Sequence, residues 1–127
     1  MAALAPSMQE TTLVMDLNLE TLATLRSYSA PGMDFVAEVV GAFMSTVGPY
    51  MAQIDAAVAT GDCEGVHRSA HPLKSSSMQV GAEAFSEICK ELETAGRTGD
   101  TASLASLNQE LKRRWIRVEP LLQAELG

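Results

Sequence analysis

Aromatic side chains make up only 5% of this chain, so its apolar content rests on Ala, Leu, Val and Met. Ala, Leu and Met favour helix, and no segment alternates polar and apolar residues as a half-buried strand would. Cysteine is nearly absent too. Cys63 and Cys89 are too few for a disulfide framework and suit a reducing compartment. Basic residues are outnumbered, nine against 16 acidic ones, for a formal net charge of −7. That balance argues against nucleic acid as a partner, because phosphate binding relies on Lys and Arg. No uninterrupted apolar run approaches the roughly 18 residues needed to cross a bilayer. The opening MAALAPSMQETT lacks the charged start and long apolar core of a signal peptide. No glycine-rich phosphate loop is present, and 127 residues leave no room for a kinase catalytic domain beside a helical one. A cytoplasmic protein with no membrane contact is expected.

What is present reads as helix. Residues 1–13 are small and polar and are expected to form a flexible tail, with a single domain over residues 14–127. Asp16 is a candidate N-cap for a short helix carrying Leu19, Leu22 and Leu25. SAPGMD, Ser29 to Asp34, breaks the chain, and Asp34 can cap the next helix. From Phe35 to Thr60 the residues Val36, Val40, Phe43, Val47, Met51, Ile54 and Val58 recur every three or four positions. Gly48-Pro49 should kink or split that helix. The tripeptide TGD occurs twice, at Thr60 to Asp62 and Thr98 to Asp100, each time ending one helix with glycine and capping the next with aspartate. Between them lie a helix from Cys63 to about Gln79, closed by Gly81, and one from Ala82 to about Arg97 that buries Phe85, Ile88, Leu92 and Ala95. The last helix carries Leu104, Leu107, Leu111, Val118 and Leu122, with Trp115 near the stripe and Pro120 bending its end. The expected fold is all-α, an antiparallel four-helix bundle with a short extra N-terminal helix. The basic run KRRWIR, Lys112 to Arg117, reads as a solvated face.

The central helix carries the chemistry. At about 100° per residue, Val66, Ala70, Leu73, Ser77 and Val80 form a core-facing stripe. Cys63, His67, His71, Lys74 and Met78 form a second stripe on the shoulder of the bundle. Arg68, Pro72, Ser75 and Gln79 face outward, so the carbonyl that Pro72 leaves unpaired at Arg68 meets water. His71 and Lys74, three residues apart, are surface neighbours. A metal site on Cys63, His67 and His71 is disfavoured, since positions i and i+8 lie about 12 Å apart along the axis. An acid–base enzyme on His67 and His71 lacks an accompanying carboxylate or nucleophile in the same helix. A purely structural adaptor would have no need of Lys74 beside an exposed histidine.

AHPLKSSSMQVGA, Ala70 to Ala82, resembles the signature of the histidine-containing phosphotransfer domain family: Ala-His-x-Leu-Lys-Gly, two small residues, two variable positions, an aliphatic residue, then Gly-Ala. Ala70, His71, Leu73, Lys74, Ser76, Ser77, Val80, Gly81 and Ala82 match, and the likeness extends over roughly residues 16 to 126 with the first TGD and Leu92-Glu93. Ser75 stands where the family usually has glycine, which should narrow the choice of partner. The resemblance implies a phosphoryl carrier rather than an enzyme. His71 would take a phosphoryl group from the aspartyl phosphate of a receiver domain, on a hybrid sensor kinase or a response regulator, and pass it to another receiver's aspartate. Lys74 would stabilise the phosphate charge, and Glu93 would orient the imidazole, unless it pairs with Arg97 one turn on. Ser75, Met78, Gln79, Ala82 and Arg97 would meet the partner. No cofactor is expected, Mg²⁺ being supplied by the receiver. A stand-alone monomer is the expectation, given Met1 and the polar start.

Overall fold

The computed structural model describes residues 15–126, so the tail expected over residues 1–13 lies outside the described residues. Five helices follow in order: α1 (Leu19–Arg26), α2 (Phe35–Thr60), α3 (Cys63–Gln79), α4 (Glu83–Thr98) and α5 (Thr101–Leu126). There is no strand among the described residues. The two TGD stops work as their chemistry requires. Gly61 and Gly99 adopt left-handed φ of 69° and 76°, and their N–H groups donate to carbonyls of the last turn of α2 and α4. Asp62 then accepts from the Gly65 N–H at 3.0 Å, opening α3.

The four long helices touch in a ring, α2 on α3, α3 on α4, α4 on α5 and α5 on α2, while α1 lies on α2. Their buried stripes meet in one core that includes Val36, Val40, Ile54, Val66, Leu73, Phe85, Leu92, Leu111 and Leu122. Phe43, Phe85 and Trp115 join α2, α4 and α5 in an aromatic cluster with ring centroids 5.5–6.3 Å apart. The few aromatics of the core are thus concentrated where three helices converge, a use of large rings worth about 0.5–1.5 kcal/mol per pair beyond their area.

One expectation needs correction. Asp16 does not cap α1. Asn18 does, accepting from the Glu20 N–H at 2.9 Å, because its own backbone N–H donates to the Gly81 carbonyl at 2.7 Å and its amide to Glu83 at 2.7 Å. This latch fixes where α1 starts. Of the two outcomes expected at Gly48-Pro49 the split does not occur, since α2 runs unbroken from Phe35 to Thr60, and α5 runs through Pro120 to Leu126. Each intrahelical proline has an exposed residue four positions earlier, Ser45 before Pro49, Arg68 before Pro72 and Ile116 before Pro120. The carbonyls that lose their N–H partner therefore reach water, and the helices survive. Continuity also makes α2 long and apolar enough, by length and composition, to cross a membrane. Its buried residues form a single stripe against the other helices, as those of a core helix do.

A close backbone approach between helices involves a glycine that has no left-handed φ. A methyl group on Gly96 of α4 would stand 2.6 Å from the Cys63 carbonyl oxygen and 2.7 Å from the His67 nitrogen of α3. Both atoms are main chain and cannot swing aside. Gly96→Ala gains about 1 kcal/mol of helix propensity but forces α3 and α4 apart. A net loss of about 1–2 kcal/mol is expected in urea unfolding; a variant as stable as the parent would show that the contact relaxes freely.

Candidate functional site

The site lies on the α3–α4 side of the fold, where Gly96 holds the two backbones together. His71 projects from the shoulder of α3 with its side chain 61% exposed. Leu73 and Ala70 on either side of it are fully buried and fix the rotation of the helix. Below this turn, Ser86 of α4 donates its hydroxyl to the Lys74 carbonyl at 2.9 Å, a further tie between the two helices.

Across from His71 stands Glu93, only 12% exposed. Its Oε2 accepts from His71 Nδ1 at 2.5 Å, and its Oε1 accepts from Lys74 Nζ at 2.6 Å. A third group approaches the same carboxylate, with His67 Nε2 at 3.8 Å from Oε2. The Lys74 ammonium holds the Glu93 carboxyl below the usual carboxylate range; partial burial works against this, and the bond from His71 adds to it. An ionised carboxylate can only accept, so Nδ1 must carry the ring proton. In neutral imidazole the lone pair then lies on Nε2. Among the described residues Nε2 has no protein hydrogen-bond partner, and the side chain that carries it is 61% exposed. The arrangement is a nucleophilic nitrogen with its tautomer fixed from behind.

The alternative pair between Glu93 and Arg97 does not form, because the carboxylate turns across to His71 and Lys74 of α3. Arg97 and Lys90, on α4 to either side of Glu93, have no carboxylate partner among the described residues. Lys74, expected at the phosphate, spends its ammonium on Glu93. Ser75, Met78 and Gln79 are exposed on α3, Met78 at 54%. Lys74, Ser75, Met78, Ser86, Glu87 and Lys90 line an open groove of about 520 Å³ beside the histidine. Ala82 does not belong to this surface. The chain reverses at Gly81, with φ of 80°, and carries Ala82 fully into the core, so it cannot meet a partner. In KRRWIR every cation has an acidic partner: Lys112 with Asp55, Arg113 and Arg114 with Glu110, and Arg117 with Asp16. Lys112, Arg113, Ile116 and Arg117 form a solvated face, while Arg114 is half-buried and Trp115 turns inward onto Phe43 and Phe85.

Two site residues escaped the sequence reading. His67 was placed on the right stripe but has a share in Glu93 that only the helix pairing reveals. Gly96 carried no motif, although a glycine inside an amphipathic helix, costing about 1 kcal/mol against alanine, is itself a sign of close packing.

The profile of the Hpt domain family matches residues 38–120, well over half of the chain and inclusive of His71, Lys74 and Glu93. The chain belongs to the Hpt domain family. Among solved structures, this Hpt domain is similar to histidine-containing phosphotransfer protein B of Pseudomonas aeruginosa PAO1, with a TM-score of 0.79 and 24% sequence identity over 87% of this chain and 94% of that one. At that identity the likeness speaks for the fold. Comparison with curated protein sequences gives no match. Family membership gives the Hpt domain a phosphotransfer role in a phosphorelay and makes it a carrier rather than a kinase.

The Glu93 interactions carry a pH signature. Because the folded carboxyl titrates lower than the unfolded one, its stabilisation is complete above the ordinary glutamate value of about 4.3 and is lost as pH falls through the lower folded value. Glu93→Gln should be less stable than the parent at pH 7, and the gap should close below about pH 4. Urea midpoints measured across that range check this; a gap that persists undiminished in acid would mean the carboxylate charge is not its source.

Proposed function

We propose that this Hpt domain is a phosphorelay intermediate in which His71 is the phosphoacceptor. The observation that carries this reading is the exposed ring of His71, whose Nδ1–H is given to a largely sheltered glutamate and whose Nε2 has no hydrogen-bond partner among the described residues. In the forward step Nε2 attacks the phosphorus of a receiver's aspartyl phosphate. The P–O bond to the aspartate breaks, its electron pair returns to the carboxylate, and a P–N bond forms on His71. Nδ1 keeps its proton throughout and goes on donating it to Glu93, whose negative charge faces the phosphorylated, cationic ring. The second step reverses this onto another receiver's aspartate. Phosphoryl transfer asks mainly for in-line positioning and charge stabilisation, which suits a carrier with no ATP site of its own. Mg²⁺ comes with the receiver, and the domain uses no cofactor.

Glu93 orients the ring, and Lys74 keeps that carboxylate ionised while adding positive charge to the region the phosphoryl group enters. Ser75, Met78, Gln79 and Arg97, with Lys90, form the docking surface for receiver domains of a hybrid kinase and of response regulators. Met78 supplies an adaptable apolar contact. The scaffold is an antiparallel four-helix bundle of α2 to α5 with α1 as a short addition; the ring of helix contacts and the brief connections at residues 61–62, 80–82 and 99–100 support it. The protein acts as a cytoplasmic monomer, away from membranes and nucleic acid.

Incubation with a phosphorylated receiver should label the wild type with an acid-labile, alkali-stable phosphoryl group and leave folded His71→Gln unlabelled. Undiminished labelling of that variant would rule out His71 as acceptor, and an unlabelled wild type would favour a binding role without transfer. Reversing the two unpaired cations together, Lys90→Glu with Arg97→Glu, should slow second-order transfer by about tenfold at low salt, with the difference shrinking as salt rises. Stopped-flow transfer rates at several ionic strengths measure it.

A further inference from the structure

Four serines lie on α3, and three of them have their hydroxyls engaged. Ser69 donates to Gln53 at 3.2 Å, Ser76 to the Leu73 carbonyl at 3.3 Å, and Ser77 to the same carbonyl at 2.7 Å. Helical serines commonly bond back to a carbonyl one turn earlier in this way. Ser75 does not. It is exposed, and its hydroxyl has no hydrogen-bond partner among the described residues.

That free hydroxyl lies on the side of α3 toward which the outer nitrogen of His71 points. Ser75 follows His71 by one turn, which puts their Cβ atoms roughly 5–6 Å apart. Helical side chains slant toward the N-terminus, so Ser75 leans back toward the ring. Lys74 and His67 fall on the flank of α3 that meets α4: Lys74 bonds Glu93, and the His67 backbone lies against Gly96. Ser75 falls about 40° round from His71 in the opposite direction. His71 turns Nδ1 toward α4, and the two nitrogens of an imidazole point away from each other. Nε2 is therefore aimed toward the flank that carries Ser75. The cations on α3 are occupied. Lys74 Nζ lies 2.6 Å from Glu93 Oε1, and Arg68 lies 3.6 Å from Glu64, one turn farther from the ring. A phosphoryl group on Nε2 brings three strong acceptor oxygens to this place, and the Ser75 hydroxyl is the uncommitted donor beside them.

We propose that Ser75 is a phosphoryl-contacting residue, whose hydroxyl donates to an oxygen of the phosphoryl group on His71 and prolongs the phosphorylated state. This rests on the carrier reading of His71, and it is separate from docking because it needs no receiver. Phosphoramidate charges the protein without a partner: Nε2 attacks phosphorus, the donor's P–N bond breaks, and ammonia leaves with the bonding pair. Once the donor is removed, water takes the phosphoryl group as inorganic phosphate and the P–N electron pair returns to Nε2. Phosphorus NMR follows that loss in the wild type, Ser75→Ala, Ser75→Thr and Ser75→Cys. A loose, metaphosphate-like transition state draws negative charge off the phosphoryl oxygens, so a donor to them holds the phosphorylated protein more firmly than the transition state. Ser75→Ala should lose its label about fivefold faster than the wild type. Ser75→Thr keeps the hydroxyl and should keep the wild-type lifetime. Ser75→Cys keeps the bulk but has only a weak donor, and should behave like Ser75→Ala. A Ser75→Ala label as durable as the wild type's overturns the proposal. So does a durable label in Ser75→Cys, which would mean that bulk alone screens the ring from water. A wild type that takes up no acid-labile phosphoryl group on His71 overturns the carrier reading instead, and this role of Ser75 with it.

Discussion

The hydrogen bond from His71 Nδ1 to Glu93 Oε2 turns a surface histidine into a directed nucleophile. An imidazole on an exposed helix face exchanges tautomers and rotamers freely, and in one of the two neutral forms its outer nitrogen carries a proton. A carboxylate behind the ring removes that ambiguity, because it can only accept. The carboxylate must itself stay ionised although it is largely sheltered from water, and Lys74 on its other oxygen provides for this. The three groups form one unit, and each would behave differently alone.

Holding that unit together is a packing matter. Glu93 and His71 are on different helices, so their separation depends on how closely α3 and α4 approach. Gly96 removes the side chain that would keep them apart, and Ser86 ties the Lys74 carbonyl back to α4. At the far end of the pair, the turn through Gly81 is clasped by Asn18 and by the N–H of Ala84 donating to Met15. Ala82 provides no side-chain cap for α4, so that contact with the preceding segment satisfies an N–H the helix leaves open. The core behind the site can then be ordinary, and it is: Val, Leu, Ile and a small aromatic cluster.

Charge is distributed with the same economy. In an acidic chain most cations are matched to carboxylates, including all four in KRRWIR, and such exposed pairs contribute little to stability. Lys90 and Arg97 are the exceptions among the described residues, and both flank Glu93 on the outer face of α4. Unmatched cations beside an exposed nucleophile favour the approach of an acidic surface and cost the fold little.

The sequence by itself determined the helices and the exposure of the site. The two TGD stops, the Asp34 and Asp62 caps and the stripes spaced three and four residues apart are interactions within one or two turns, and each is legible from neighbouring letters. For the same reason the wheel of α3 placed Val66, Ala70, Leu73, Ser77 and Val80 inside and His71 outside, as they lie. Only the tertiary structure decided what depends on a second helix. Glu93 had another partner within reach in Arg97 one turn away, and its choice of α3 depends on the close backbone contact at Gly96, whose partner helix the glycine alone does not name. The share of His67 in that carboxylate, the burial of Ala82 and the shift of the first cap from Asp16 to Asn18 have the same origin. Each depends on distances between segments far apart in the chain, which are set when the helices pack.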